Sequence, residues 1–149
     1  MITIEDALIF AAKAHKGQTD LDGKPVILHP LQVGLKGENK EEIITGFLHD
    51  VVEDTNQTFE DIKNIGVSEN VMYALKLLTK EKGQPYQEYL ERIVKSGNEL
   101  ALKVKRNDLL CNLQRNDANT QQKIKIKKKH NEAYKLISRT LEKNSTLKS

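Results

Sequence analysis

From Ile4 to Leu141 the apolar residues recur three and four positions apart, and no stretch alternates apolar with polar as a half-buried strand must. That pattern restricts the chain to helices packed through their apolar faces, an all-α fold. Ile4, Ala7, Leu8, Ala11 and Ala12 open the series, with Thr3 as the expected N-cap and Gly17 as the stop. Pro30 is expected to open a short second helix, because its missing N–H is not needed in a first turn. Further helices are expected near 40–54, 68–79, 85–96, 98–114 and 120–143. Prolines stand only at 25, 30 and 85, and glycines cluster between the segments, as punctuation should. With 149 residues, no internal repeat and no long linker, a single domain over 1–149 is expected.

Composition narrows the classes of function. Hydrophobic residues at 38% and charged residues at 30% suit a folded soluble chain and not a disordered one. No apolar run approaches the ~20 residues that cross a bilayer, so no membrane partner is expected. The opening MITIEDALIF carries acids where an export signal carries bases. Cys111 is the sole cysteine, which rules out an intrachain disulfide and a Cys-rich zinc site and fits a reducing cytoplasmic setting. A net charge of +3 is too small to indicate nucleic acid. The basic run from Lys123 to His130 reads as a solvated helix face, because Ile126, Ala133, Ile137 and Leu141 continue a helical stripe through it. His130 falls on that stripe as a packing residue. Tyr86 and Tyr89 read as a helix interface.

Two helices break the amphipathic rule. At 100° per residue, Ile43, Ile44, Phe47, Leu48, Val51 and Val52 take about half of the 40–54 helix, and His49, Asp50, Glu53 and Asp54 take an adjoining arc of roughly 140°. Such a helix belongs near the centre of a bundle, where ionisable groups are costly unless they meet a cation, a partner or a wet cleft. In the 98–114 helix, Asp108 projects into the apolar face formed by Leu100, Ala101, Leu102, Val104, Leu109, Cys111 and Leu113. Either a metal or a buried pair with Lys105 accounts for it. His29, before Pro30, completes a set of imidazoles and carboxylates that suits a borderline-to-hard divalent ion. Glu53 and Asp54 lie one turn beyond the His-Asp dipeptide, placed to position or deprotonate a water.

These motifs resemble the HD-domain superfamily, and within it the RelA/SpoT-type guanosine polyphosphate hydrolases, including their small stand-alone forms. The likeness rests on Ala14-His15-Lys16-Gly17-Gln18, Gly23-Lys24-Pro25, His29-Pro30-Leu31, Leu48-His49-Asp50-Val51-Val52-Glu53-Asp54-Thr55, Leu78-Thr79-Lys80, and Val104-Lys105 with Asp108 and Asn112, in that order. It implies an HD-type helical bundle and a divalent metal, usually Mn²⁺, held by His29, His49, Asp50 and Asp108. Glu53 and Asp54 match the acidic pair that activates water, and Lys105 and Asn112 match positions lining a nucleotide pocket. The implied reaction removes the 3′-pyrophosphate from (p)ppGpp, a stringent-response nucleotide. His15 matches a motif residue that is not a ligand, and a structural role is expected for it.

The chain also departs from that pattern. Thr19-Asp20-Leu21-Asp22 stands where a basic pair is usual, Val26 replaces an aromatic residue, and Leu109 and Cys111 replace an arginine and a histidine. The stretch between His29 and His49 is shorter than in most such proteins. These changes touch substrate recognition and spare the ligands, so two alternatives stay open: an HD phosphodiesterase or nucleotidase acting on another nucleotide, and a non-catalytic nucleotide-binding module. Oligomeric state is not legible in the sequence.

Overall fold

A computed structural model describes residues 2–148. Among the described residues there are nine helices and no strand, in the order α1 (Ile4–Ala14), α2 (Leu28–Leu35), α3 (Lys40–Leu48), α4 (Val51–Asp54), α5 (Phe59–Asn64), α6 (Glu69–Leu78), α7 (Tyr86–Ser96), α8 (Glu99–Arg115) and α9 (Gln121–Lys148). The all-α reading is borne out. No helix of the described residues is long and apolar enough to cross a membrane. Thr3 caps α1 through a reciprocal capping box with Asp6, and Gly17 follows the helix end with φ +88°.

Helix α3 lies at the centre, packed on α1, α2, α6 and α8. Ile44, Thr45, Gly46, Phe47 and Leu48 are all buried, as the narrow polar arc of this segment required. Its crossing with α2 is close because two glycines meet there. A Cβ on Gly46 would stand 2.7 Å from the Gly34 backbone nitrogen and Cα, nearer than real contacts allow. This approach brings the first turn of α2, with His29, against the end of α3, with His49.

Three expectations need correction. The segment 40–54 is not one helix: α3 ends at Leu48, and α4 restarts at Val51. His49 Nδ1 lies 2.6 Å from the Gly46 carbonyl oxygen, an acceptor that an uninterrupted helix would give to the Asp50 N–H. Asp50 sits in the bridge region at φ −101°, ψ −2°. Pro30 is the third residue of α2, not its first; that position is still in the turn whose N–H groups need no partner. Helix α5, capped by a Thr58–Asp61 box, was not anticipated, since six residues are too few to show a period.

Candidate metal centre

Four side chains from three places in the chain converge where α2, the α3–α4 bend and α8 meet. His29 Nε2 lies 2.8 Å from Asp108 Oδ1 and 3.9 Å from Asp50 Oδ2. His49 Nε2 lies 3.2 Å from Asp50 Oδ2 and 3.5 Å from Asp108 Oδ1. The two imidazoles stand edge to face, 5.5 Å between centroids. Ligand atoms of His29, His49 and Asp50 all lie within 4.8 Å of one another, and Asp108 joins them through its contacts with both rings. The structure therefore brings together all four ligands expected from the sequence.

The surroundings suit a cation. A carbonyl oxygen only accepts, so His49 Nδ1 carries the proton in its bond to Gly46, which turns Nε2 toward the carboxylates. That Nε2 is buried and has no hydrogen-bond partner, which marks a group reserved for something else. Burial opposes charge on His49, yet Asp50 and Asp108 outweigh it and hold the imidazole pKa well above its usual range. A divalent ion would compete with that proton for the same nitrogen. Burial likewise opposes charge on Asp108, but Lys105 and the two histidines hold its carboxyl well below the usual carboxylate range. Donor set, convergence and the orphaned nitrogen all fit a divalent metal.

Asp108 is tied down on every side. Lys105, itself 7% exposed, donates from Nζ to Asp108 Oδ2 at 2.9 Å, and Asn112 Nδ2 donates to Oδ1 at 3.2 Å. Lys105 was expected in a nucleotide pocket; here its ammonium is turned to Asp108, beneath the rings of Tyr89 and Tyr86 at 5.0 and 5.9 Å. Asp108 thus pairs with Lys105 through Oδ2 while its Oδ1 stands among the other candidate ligands. Tyr89 OH donates to the Leu78 carbonyl at 2.8 Å, joining α7 to α6 as expected of a helix interface.

The acidic pair is carried by α4 and is exposed. Glu53 Oε1 accepts from the Lys80 backbone N–H at 2.8 Å. Asp54, exposed as a residue but with its carboxyl partly desolvated by its surroundings, has that carboxyl pushed up to about 6 by this desolvation and by the charges of Asp50 and Glu53. Two residues without an assigned role in the sequence hold this turn. Gln18 donates from Nε2 to the Asp54 carbonyl at 2.7 Å, and its Oε1 accepts from His15 Nδ1 at 2.9 Å. His15, 1% exposed, is therefore structural: it steadies the glutamine that steadies the acidic turn. The Thr79-Lys80 step supplies the N–H that orients Glu53. Both lay in quoted motifs, which was the available signal.

The departures at 19–22 also acquire a structure. Asp20 Oδ1 accepts from the N–H groups of Asp22 and Lys24, closing a turn behind the Thr19–Pro25 bridge. Asp22 meets Lys123 Nζ at 3.3 Å, and Lys123 meets Asp117 at 3.3 Å. Asp22 is thus matched by a cation, which lessens the repulsion these acids would otherwise exert on a polyphosphate.

No family model matches the chain. A 70-residue segment is 43% identical to a GTP pyrophosphokinase of Myxococcus xanthus, covering 44% of this chain and 9% of that protein. A 64-residue segment is 45% identical to a guanosine-3′,5′-bis(diphosphate) 3′-pyrophosphohydrolase of Aquifex aeolicus, covering 40% and 9%. A 66-residue segment is 38% identical to the bifunctional (p)ppGpp synthase/hydrolase SpoT of Escherichia coli, covering 42% and 9%. The chain matches under a tenth of the length of each. Among solved structures, a metazoan ortholog of SpoT, described as hydrolysing ppGpp, superposes with a TM-score of 0.73 at 23% identity, covering 93% of this chain and 84% of that one. The resemblance to RelA/SpoT-type hydrolases is thus borne out in sequence, and the HD-type bundle in fold.

Proposed function

We propose that residues 1–149 act as one metal-dependent phosphohydrolase domain that releases pyrophosphate from the 3′ position of (p)ppGpp, leaving GDP or GTP. The observation that carries this reading is the convergence of His29, His49, Asp50 and Asp108 beside an acidic turn fixed by Gln18 and Lys80. The names of the relatives supply the substrate. When bound, a divalent ion, here proposed as Mn²⁺, neutralises phosphate charge and acidifies water at neutral pH. Asp54, ionised above about pH 6, takes the proton of the attacking water. Glu53, its Oε1 held by the Lys80 N–H, orients that water. The water oxygen bonds to the 3′-linked phosphorus as the bond from that phosphorus to the ribose 3′ oxygen breaks; the 3′ oxygen takes up a proton and stays as the hydroxyl of GDP or GTP, and the phosphoryl pair departs as pyrophosphate. Lys105 acts through Asp108, and Asn112 links Asp108 to the substrate pocket. The substrate is a small nucleotide, the setting the cytoplasm.

Purified protein incubated with ppGpp and Mn²⁺ should yield GDP and pyrophosphate, and a chelator should stop it. Bound metal without product would reject the alarmone. A second reading, hydrolysis of another nucleotide with a 2′- or 3′-phosphate, is favoured by one observation: hairpin 19–25 brings Asp20 and Asp22 to the cavity beside Asn112. A panel of nucleotide phosphates separates the two.

A further inference from the structure

Helix α6 ends at Leu78, and the carbonyls of Leu75 to Leu78 have no partner within the helix, as in the last turn of any α-helix. A common ending folds the chain back to meet them: here the Lys80 N–H would take the Leu77 carbonyl and the Glu81 N–H the Lys76 carbonyl. The chain does neither. Thr79 is extended, at φ −94° and ψ 112°, and side chains take all four carbonyls. Thr79 Oγ1 donates to Leu75 at 2.8 Å, and Tyr89 OH to Leu78 at 2.8 Å. Arg92, from α7, brings Nη2 to 3.1 Å from the Leu77 carbonyl and 3.4 Å from that of Lys76. The same nitrogen lies 2.9 Å from the Thr79 carbonyl, just past the helix.

Two N–H groups are released by this arrangement. That of Glu81 goes to Gln84 Oε1 at 3.1 Å, and that of Lys80 goes to Glu53 Oε1 at 2.8 Å. Arg92 therefore stands at the carbonyls that these two N–H groups would otherwise cap. We infer that Arg92 is a positioning residue for the acidic pair: by occupying the Lys76 and Leu77 carbonyls and holding that of Thr79, it keeps the Lys80 N–H directed at Glu53. A guanidinium suits the task, since it is always charged, carries several donors in one plane, and meets the negative end of the α6 dipole. Its ion pair with Glu81, at 3.3 Å, contributes little, because Glu81 is 74% exposed. None of the hydrogen bonds of Arg92 reaches the acidic pair, so its effect passes through the 79–80 backbone. Its bearing on catalysis rests on the role proposed above for Glu53.

The test is a double-mutant cycle between Arg92→Met and Glu53→Ala, read in two ways. In the metal-free protein, the NMR resonance of the Lys80 amide proton should move when Glu53→Ala is made in wild type, because its acceptor is lost. The same substitution made in Arg92→Met should leave that resonance in place, because the N–H has already turned away. In ppGpp turnover with Mn²⁺, Arg92→Met should lower kcat about tenfold, the worth of one hydrogen bond, with KM and Mn²⁺ affinity as in wild type. In the Glu53→Ala background it should cost nothing further. Arg92→Lys keeps the charge without the planar fork, so it should fall between, and it serves in the cycle if Arg92→Met fails to fold. A Lys80 resonance that responds equally to Glu53→Ala in both backgrounds, or an equal loss of kcat in both, makes Arg92 merely structural and overturns the inference. A Lys80 response lost in Arg92→Met, with no ppGpp hydrolysis by wild type, keeps the assignment and rejects the alarmone reaction.

Discussion

Replacing Lys105 with methionine isolates the charge that holds Asp108. Methionine keeps an unbranched apolar stem against Tyr86 and Tyr89 while removing the ammonium. Lys105 and Asp108 are 7% and 6% exposed and 2.9 Å apart. Deleting one partner of so buried a pair costs about 3–5 kcal/mol, because the other charge is left in low dielectric. His29 and Asn112 still bond Oδ1, so the lower end, about 3 kcal/mol, is expected. At ~2–4 °C per kcal/mol for a chain of this size, the metal-free variant should melt roughly 6–12 °C below wild type. Added Mn²⁺ should narrow that gap. The variant lacks a cation that repels the ion and frees Asp108 Oδ2 to bind it, so the metal-induced rise in Tm should exceed that of wild type. The assay is thermal unfolding with chelator and then across a Mn²⁺ titration. A metal-free Tm within about a degree of wild type would refute the buried-pair argument. An equal metal-induced rise would refute the electrostatic competition.

His49→Ala and Asp108→Ala should each abolish metal uptake, read by isothermal titration with Mn²⁺, and turnover with it; retained activity in the Asp108 variant would remove that ligand from the set. Glu53→Gln should leave Mn²⁺ affinity near wild type and cut kcat by ~10²-fold, since only the orientation of water is lost. The pH profile of kcat should show one acid limb at or below about 6, where Asp54 protonates, because its raised pKa leaves it ionised only above that point and a divalent ion beside Asp50 draws it lower. A limb above 7 would exclude Asp54 as the base, and Asp54→Asn should erase the limb. Gly46→Ala should destabilise by about 1–3 kcal/mol in a denaturant titration, since its Cβ meets the Gly34 backbone and not a side chain that can rotate away. A neutral result would mean that α2 and α3 separate at little cost.

The convergence of the four candidate ligands was legible because a carboxylate in an apolar helical face and a His-Asp pair on a helix with little solvent face both conflict with burial, a conflict a cation would resolve. The bend at His49 was not legible. Periodicity over 40–54 is continuous, and the break comes from one side chain taking its own helix's carbonyl, a contact that leaves no trace in spacing. The same limit applies to Lys105, whose sequence position fits either a pocket or a buried pair until the facing residue is known. The pairing of Asp22 was not legible because the cation that meets it lies 101 positions away, in a run that read as ordinary surface lysine. His130 was placed on a packing stripe, which is where it lies, but the stripe passes the rim of a cavity before it enters the core.

The interruption between α3 and α4 decides what ion binding does to the rest of the chain. On an unbroken helix, consecutive side chains diverge by 100° and cannot reach one point; with the helix unwound for two residues, His49 and Asp50 pinch together as a chelate. The same two residues form the hinge on which the short α4 turn hangs, and that turn carries Glu53 and Asp54. On the proposed ligand set, an ion held by His49 and Asp50 would stiffen the hinge and set the direction of the acidic pair. Metal loading and the setting of the proposed base would then be one event, with backbone protection of residues 51–54 against hydrogen exchange as its direct reporter.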